Sequence, residues 1–310
     1  MADKIATRQA YGETLVKLGA TNENLVVLDA DLSGSTKTAM FQKEYPDRFF
    51  NMGISEQDLY GTAAGLAAGG KVVCASTFAM FASGRAFEII RNSIGYPHLN
   101  VKICATHAGI TVGPDGASHQ TFEDLALMRT IPGMTVINPS DAVSAAKLLE
   151  QAVAMDGPCY LRFGRAAVPV TYKESDALTI GKGNYLHSGK DVTLIATGIM
   201  VNEAMEAAKI LADRGIDAGI VDIHTIKLLD EDMILQVAAE TGALVTCEEH
   251  SIIGGLGEAV ASVTARNNPV KMAMVGQMDT FGESGSPAEL MKKYGMNAEA
   301  IVAAAEKLVK

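Results

Sequence analysis

The sequence predicts an α/β fold of two domains, each a mostly parallel sheet with helices on both faces. Three observations carry this expectation. Short apolar runs alternate with amphipathic or small-residue stretches, the pattern of buried strands joined by crossover helices. The alternation stops once, at residues 169–190, which are polar and turn-rich. It then restarts and continues to the end of the chain. The boundaries are therefore a first domain at 1–168, a linker or edge hairpin at 169–190, and a smaller second domain at 191–310. A chain of 310 residues is an ordinary length for two domains.

Residues 4–19 read as a helix with Tyr11, Leu15 and Leu18 on one face and Arg8 in its first half. Strands follow at 25–30, 49–50, 71–75, 101–105, 134–138 and 158–163. The segment 31–36 between the first two is a small polar loop. Asp141 is placed to cap a helix running to Met155. In the second domain, strands are expected at 191–196, 218–222, 243–247 and 270–275. Helices are expected at 201–214 and 230–241, after Gly254, around 287–294 and at the C-terminus.

The stretch 48–61 organises the first domain. A short apolar strand (Phe49, Phe50) stops at Asn51, and Gly53 turns the chain into a helix that Ser55 can cap, with Asp58 three residues on. Glu56 then opens a helix at the carboxyl end of a strand, where ligands bind in open α/β sheets. An acid in a first turn can simply complement the helix dipole. The helix after it (Ala63, Ala64, Gly65, Leu66, Ala67, Ala68) has almost no polar face and reads as buried on most sides. A carboxyl group opening such a helix is partly removed from water, a setting in which an acid can share a proton.

The loop 106–120 is long and Gly-rich, and long loops within compact α/β units usually carry function. It holds His107, Asp115 and His119, whose spacing fits no common zinc pattern. Imidazoles there can hydrogen-bond sugar hydroxyls and transfer protons near neutrality. Arg8, Ser35 and Arg165 lie near strand ends, and arginine offers the forked donors that phosphate needs. Phe78 and Phe81, three apart after a strand, are either core residues or a flat pocket for an aromatic ring. Gly254-Gly-Leu-Gly257 lacks a full dinucleotide fingerprint and reads as a tight turn.

Composition narrows the class further. Net charge is −10, with no basic stripe, so nucleic-acid binding is not expected. No apolar run approaches membrane-spanning length, and the N-terminus lacks an apolar targeting core. The four cysteines are far apart and form no CxxC pair, which suits free, buried thiols in a reducing cytoplasm.

Several stretches together resemble the C-terminal section of transketolase over nearly the whole chain: Asp29-Ala-Asp-Leu-Ser-Gly-Ser35, Asn51-Met-Gly-Ile-Ser-Glu-Gln57, Ser76-Thr-Phe-Ala-Met-Phe81, His107 with Gly113-Pro-Asp-Gly-Ala-Ser-His-Gln120, and Leu161-Arg-Phe-Gly-Arg165. The resemblance implies a pyrimidine-binding domain followed by a transketolase C-terminal-like domain. It implies that Glu56 contacts N1′ of the thiamine diphosphate aminopyrimidine and shares a proton with it, assisting deprotonation at the thiazolium C2. Phe78 and Phe81 would line the pyrimidine pocket, and Asp31 would lie near the thiazolium. Arg8, Ser35, His107 and Arg165 would bind the sugar phosphate, Asp115 a substrate hydroxyl, and His119 would assist near the reacting carbons. Glu56, His107 and His119 would then be the catalytic set. The implied reaction is transfer of a two-carbon ketol unit from a ketose phosphate to an aldose phosphate. Gly84 stands where an aromatic often continues the pocket in full-length transketolases, and Ser55 replaces a common Arg.

Thiamine diphosphate enzymes hold magnesium and the diphosphate with a Gly-Asp-Gly…Asn stretch, which this sequence lacks. A diphosphate needs a divalent cation with oxygen ligands. The resemblance therefore implies a split transketolase in which a separate N-terminal subunit holds most of the Mg2+ (or Ca2+) site, in an α2β2 assembly of cytoplasmic pentose phosphate metabolism. This chain would supply no metal ligand. Two other readings remain open: the beta subunit of a 2-oxo-acid dehydrogenase decarboxylase, and a non-catalytic regulatory subunit.

Overall fold

Parallel strands covered on both sides cannot alternate polar and apolar residues, and the central strands show this. A computed structural model describes residues 3–309. Every residue is buried in β2 (Leu25–Asp29), β5 (Val101–Thr106), β6 (Thr135–Ile137) and β7 (Cys159–Phe163). With β1 (Lys4–Ala6), β3 (Phe49–Asn51), β4 (Val72–Phe78), β8 (Ala167–Pro169), β9 (Asn184–His187), β10 (Val192–Ala196), β11 (Ala218–Asp222), β12 (Thr225–Lys227), β13 (Ala243–Ser251) and β14 (Lys271–Gln277), they make two main sheets and one small ribbon.

The larger sheet has the order β12-β6-β7-β5-β4-β2-β3 and is parallel except for β12. The smaller has the order β14-β13-β10-β11-β9 and is parallel except for β9. Each sheet is mostly parallel and flanked by helices. One face of the larger sheet is covered by helices Thr7–Thr21 and Ala142–Ala154, through Tyr11, Leu15, Leu148 and Leu149. The other is covered by helix Glu56–Ala68, through Leu59, Tyr60 and Ala63. That second core runs without a break into Ile195 and Val221 of the C-terminal sheet and Val237 of the helix Glu231–Thr241 packed on it.

The structure departs from the sequence reading at the edges. The first helix starts at Thr7, because Lys4–Ala6 pair antiparallel with Ala167–Pro169. Of the stretch 169–190, read as a linker or edge hairpin, Asn184–His187 form an edge strand of the smaller sheet. Thr225–Lys227 leave the C-terminal half to close one edge of the larger sheet against β6. Ser33–Thr36 is a short helix, pinned where Asp29 accepts hydrogen bonds from Leu32 N (2.6 Å), Thr36 Oγ1 (2.6 Å) and Thr38 Oγ1 (2.8 Å). Asp141 caps its helix as expected, accepting from Ser144 N at 2.8 Å. Ser55 occupies the N-cap position of its helix but its side chain makes no capping bond. That helix also leaves Gly61 and Gly65 exposed, so it is buried on one side rather than most. Cys74, Cys104, Cys159 and Cys247 are free and buried. No described helix is long and apolar enough to cross a membrane.

Candidate active site

The site forms where parallel strands of the larger sheet end. After β3, the Asn51 side chain accepts from Asp31 N and Gly53 N, each at 3.0 Å, and donates to Asp31 Oδ1 at 2.9 Å. Gly53 (φ +70°) then turns the chain so that Glu56 opens its helix facing inward, 5% exposed. Its carboxylate accepts from Arg85 Nη1 at 3.0 Å. The Arg85 guanidinium lies over the Phe81 ring, 4.2 Å from the centroid.

Phe78 ends β4 and is paired in register with Thr106, the last residue of β5. That register sets the next residue, His107, face to face with Phe78 at 3.9 Å between ring centres. Phe78 and Phe81 stack at 5.8 Å, and His119 meets both rings edge-on at 6.2 and 5.3 Å. Phe78 and Phe81 therefore form one flat aromatic wall with the two histidines.

Behind the wall, Arg8 Nη1 donates to the Ser35 carbonyl at 2.6 Å and lies 3.4 Å from His107 Nε2. A guanidinium only donates, so Nε2 is the acceptor and Nδ1–H donates to Thr106 Oγ1 at 2.9 Å. Burial, then the Arg8 and Arg165 charges, pull the His107 pKa down to about 3. His107 is thus a neutral hydrogen-bonding group near pH 7. Burial and the nearby Arg165 lower the Arg8 pKa. Arg8 Nε is buried with no partner, a donor left over beside a second arginine.

The histidine loop is positioned by the C-terminal unit. Thr111 N donates to Glu249 Oε1 at 2.7 Å and Gln120 Nε2 donates to the Glu283 carbonyl at 2.9 Å, while Arg165 of the first domain donates to the Val112 carbonyl. The loop is Gly-rich because of this contact. Gly109 has φ +75°, and a Cβ there would lie 2.3 Å from Glu249 Cδ. Glu249 in turn belongs to a buried charge network. Arg162 donates to Asp124 Oδ2 (2.8 Å), Asp124 Oδ1 (3.3 Å) and the Glu249 carbonyl (2.9 Å), and Tyr160 OH donates to Asp124 at 2.7 Å.

Glu56, Phe78, Phe81, His107, His119 and Arg8 are thus joined by direct contacts that include Arg85, with Ser35 touching through its carbonyl. Arg165 reaches the same region through the Val112 carbonyl. Asp31 is exposed and bonded to Asn51, and Asp115 is exposed in its turn. Neither has a hydrogen bond to the aromatic wall among the described residues. Arg85 and the Arg162 network escaped the sequence reading. Arg162 carried a signal, since a charge inside an otherwise apolar strand needs a buried partner. Arg85 did not, because nothing local links it to Glu56, 29 residues earlier.

At Gly254-Gly-Leu-Gly257 the turn leads into helix Leu256–Asn267, whose free N–H groups are taken by the chain itself. Glu248 accepts from Leu256 N at 2.7 Å and Gly257 N at 2.8 Å. Among the described residues no group of three or more His, Cys, Asp or Glu is placed to hold a metal ion.

Two family models match: transketolase, pyrimidine binding domain, over residues 3–171, and transketolase, C-terminal domain, over residues 181–301. The chain belongs to the transketolase family. It is 54% identical over 95% of its length to a protein of Methanocaldococcus jannaschii provisionally named transketolase C-terminal section, covering 93% of that protein. It is 41% identical to the 6-deoxy-6-sulfo-D-fructose transketolase subunit SqwH of Clostridium sp., over 97% of this chain and 94% of that one. Among solved structures it matches one described as a split gene transketolase, inactive beta4 tetramer, with TM-score 0.93 and 53% identity over 98% of both chains. The aromatic wall and Glu56 lie within the region matched to the transketolase pyrimidine-binding model.

Proposed function

We propose that this chain is the C-terminal subunit of a split transketolase. It moves a two-carbon ketol unit from a ketose phosphate to an aldose phosphate, together with a separate N-terminal subunit. One observation carries the reading: a buried carboxyl group and an arginine with an unpartnered buried Nε flank the same aromatic wall. A flat ring with a ring nitrogen fits the first end and an anion the second.

The residues fit the aminopyrimidine half of thiamine diphosphate. Phe78 and Phe81 offer ring faces, and Glu56 offers a shielded carboxyl group at their edge. The bound cofactor would supply the carbon centre that accepts the transferred unit, which no side chain here provides. Glu56 holds or returns one proton at the ring nitrogen. Arg8 and Arg165 draw in the sugar phosphate, and Arg8 Nε gains the acceptor it lacks. His107 stays neutral and serves as a hydrogen-bonding group for the substrate. His119, half-buried at the wall's edge, is placed to exchange a proton with substrate oxygens. The magnesium and diphosphate site is assigned to the partner, with two copies of each chain. The 54% and 41% relatives are of matching length and carry section or subunit names, which supports the split.

The test is reconstitution. The chain is assayed with thiamine diphosphate and magnesium, alone and with a copurifying chain that carries a Gly-Asp-Gly…Asn stretch. Ketol transfer only in the mixture supports the proposal. Robust turnover by the chain alone, or oxo-acid decarboxylation without ketol transfer, overturns it.

A further inference from the structure

Among the described residues the Glu56 carboxylate has one side-chain hydrogen-bond partner, the Arg85 guanidinium, and the manner of that pairing is informative. Arg85 Nη1 lies 3.0 Å from Glu56 Oε1, while its planar head rests 4.2 Å from the Phe81 ring centre. A flat, nitrogen-bearing, hydrogen-donating group thus stacks on Phe81 and donates to Glu56. A bound aminopyrimidine would make the same two contacts.

We infer that Arg85 is an internal stand-in for the cofactor ring: it latches Glu56 and covers Phe81 until the ring displaces it. The inference rests on the proposed thiamine diphosphate reading and adds a regulation of that site.

The local structure suits a movable latch. Arg85 closes a wide π-helical turn, Phe81–Arg85, and such turns mark sites where a helix gives way. It is 54% exposed, so its head can swing into water, whereas Glu56 at 5% cannot. Gly84 beside it carries no side chain to confine it. The Arg85 carbonyl accepts from Gln57 Nε2 at 3.4 Å, a contact that would remain if the side chain swung away. The latch also keeps a buried carboxylate paired while no ring is present, which an isolated subunit needs. Because the ring binds only the unlatched fraction, the measured affinity falls by that fraction.

The experiment uses the reconstituted two-chain protein with magnesium and measures the thiamine diphosphate dissociation constant by equilibrium dialysis. Arg85→Met keeps the apolar stem and removes both charge and donors. The latch predicts that Arg85→Met tightens cofactor binding by about tenfold, the order expected from losing one ion pair and one cation–π contact. It further predicts a clearly smaller tightening by Arg85→Met in a Glu56→Gln background, where the ion pair is already absent and only the contact with Phe81 is left to lose. Weaker or unchanged binding in Arg85→Met overturns the latch, as does equal tightening in the Glu56→Gln background. Failure of wild type and variants alike to bind thiamine diphosphate overturns the cofactor reading, and the latch with it.

Discussion

Arg162 is 3% exposed, beside Asp124 at 0% and Glu249 at 3%. Replacing it with Met keeps most of the volume and removes three hydrogen bonds: two to the Asp124 carboxylate and one to the Glu249 carbonyl. Asp124 is left buried with Tyr160 as its remaining side-chain donor. Breaking one side of a buried ion pair costs about 3–5 kcal/mol. An exposed pair such as Arg266–Glu231 should cost less than about 1 kcal/mol. Urea unfolding followed by circular dichroism reads the difference, and midpoints should be compared because two units need not unfold together. Arg162→Met with Asp124→Leu should recover much of the loss, since no charge is then stranded at that position. Burial raises the Asp124 pKa, but Arg162, His250 and the Tyr160 hydrogen bond together outweigh it and leave the carboxyl below its usual range. That contribution is present above the unfolded aspartate pKa and is lost as pH falls through the folded value. The gap between wild type and Arg162→Met should therefore narrow in acid. A single-variant loss below about 1 kcal/mol, or a double variant worse than the single, would refute the reasoning.

Gly109→Ala places a Cβ against Glu249 at φ +75°, and should cost about 1–3 kcal/mol and loosen the histidine loop, read as faster proteolysis between residues 107 and 120. His107 titrates near 3 when folded and near 6.5 when unfolded, so below pH 6.5 only the unfolded chain takes up its proton. Its contribution is complete above 6.5 and lost as pH falls towards 3. Wild type minus His107→Asn stability should shrink by about 1.4 kcal/mol per pH unit across that window. A histidine NMR titration should show no His107 midpoint above pH 4.5; a midpoint near 6 would contradict the buried, arginine-flanked imidazole.

The central strands were legible because burial on both faces forces continuous apolar runs, as in Leu25–Asp29 and Val192–Ala196. The strands that were missed are short edges. Lys4–Ala6, Ala167–Pro169 and Thr225–Lys227 are held by one neighbour each, so their composition says little. Ser55 has the right residue type for a cap, yet Gly53 and Asn51 already set the turn and its side chain is not used. At the site, Phe78 and His107 were legible as chemistry at strand ends, but their stacking depends on the pairing of Phe78 with Thr106, a register no local pattern reports. The neutrality of His107 was hidden for a similar reason, because it comes first from burial by the tertiary fold and then from arginines that lie 99 residues before and 58 after it in the chain.

In the proposed reaction the Glu56 carboxyl group handles the proton that makes this site reactive. The most direct measurement is the ketol-transfer rate of the reconstituted pair with Glu56→Gln, which keeps the shape and a hydrogen-bonding side chain but removes the acid. The account predicts a rate loss of about 10²–10⁴-fold or more with unfolding midpoint and subunit assembly nearly unchanged. A variant that turns over within a few-fold of wild type would contradict it.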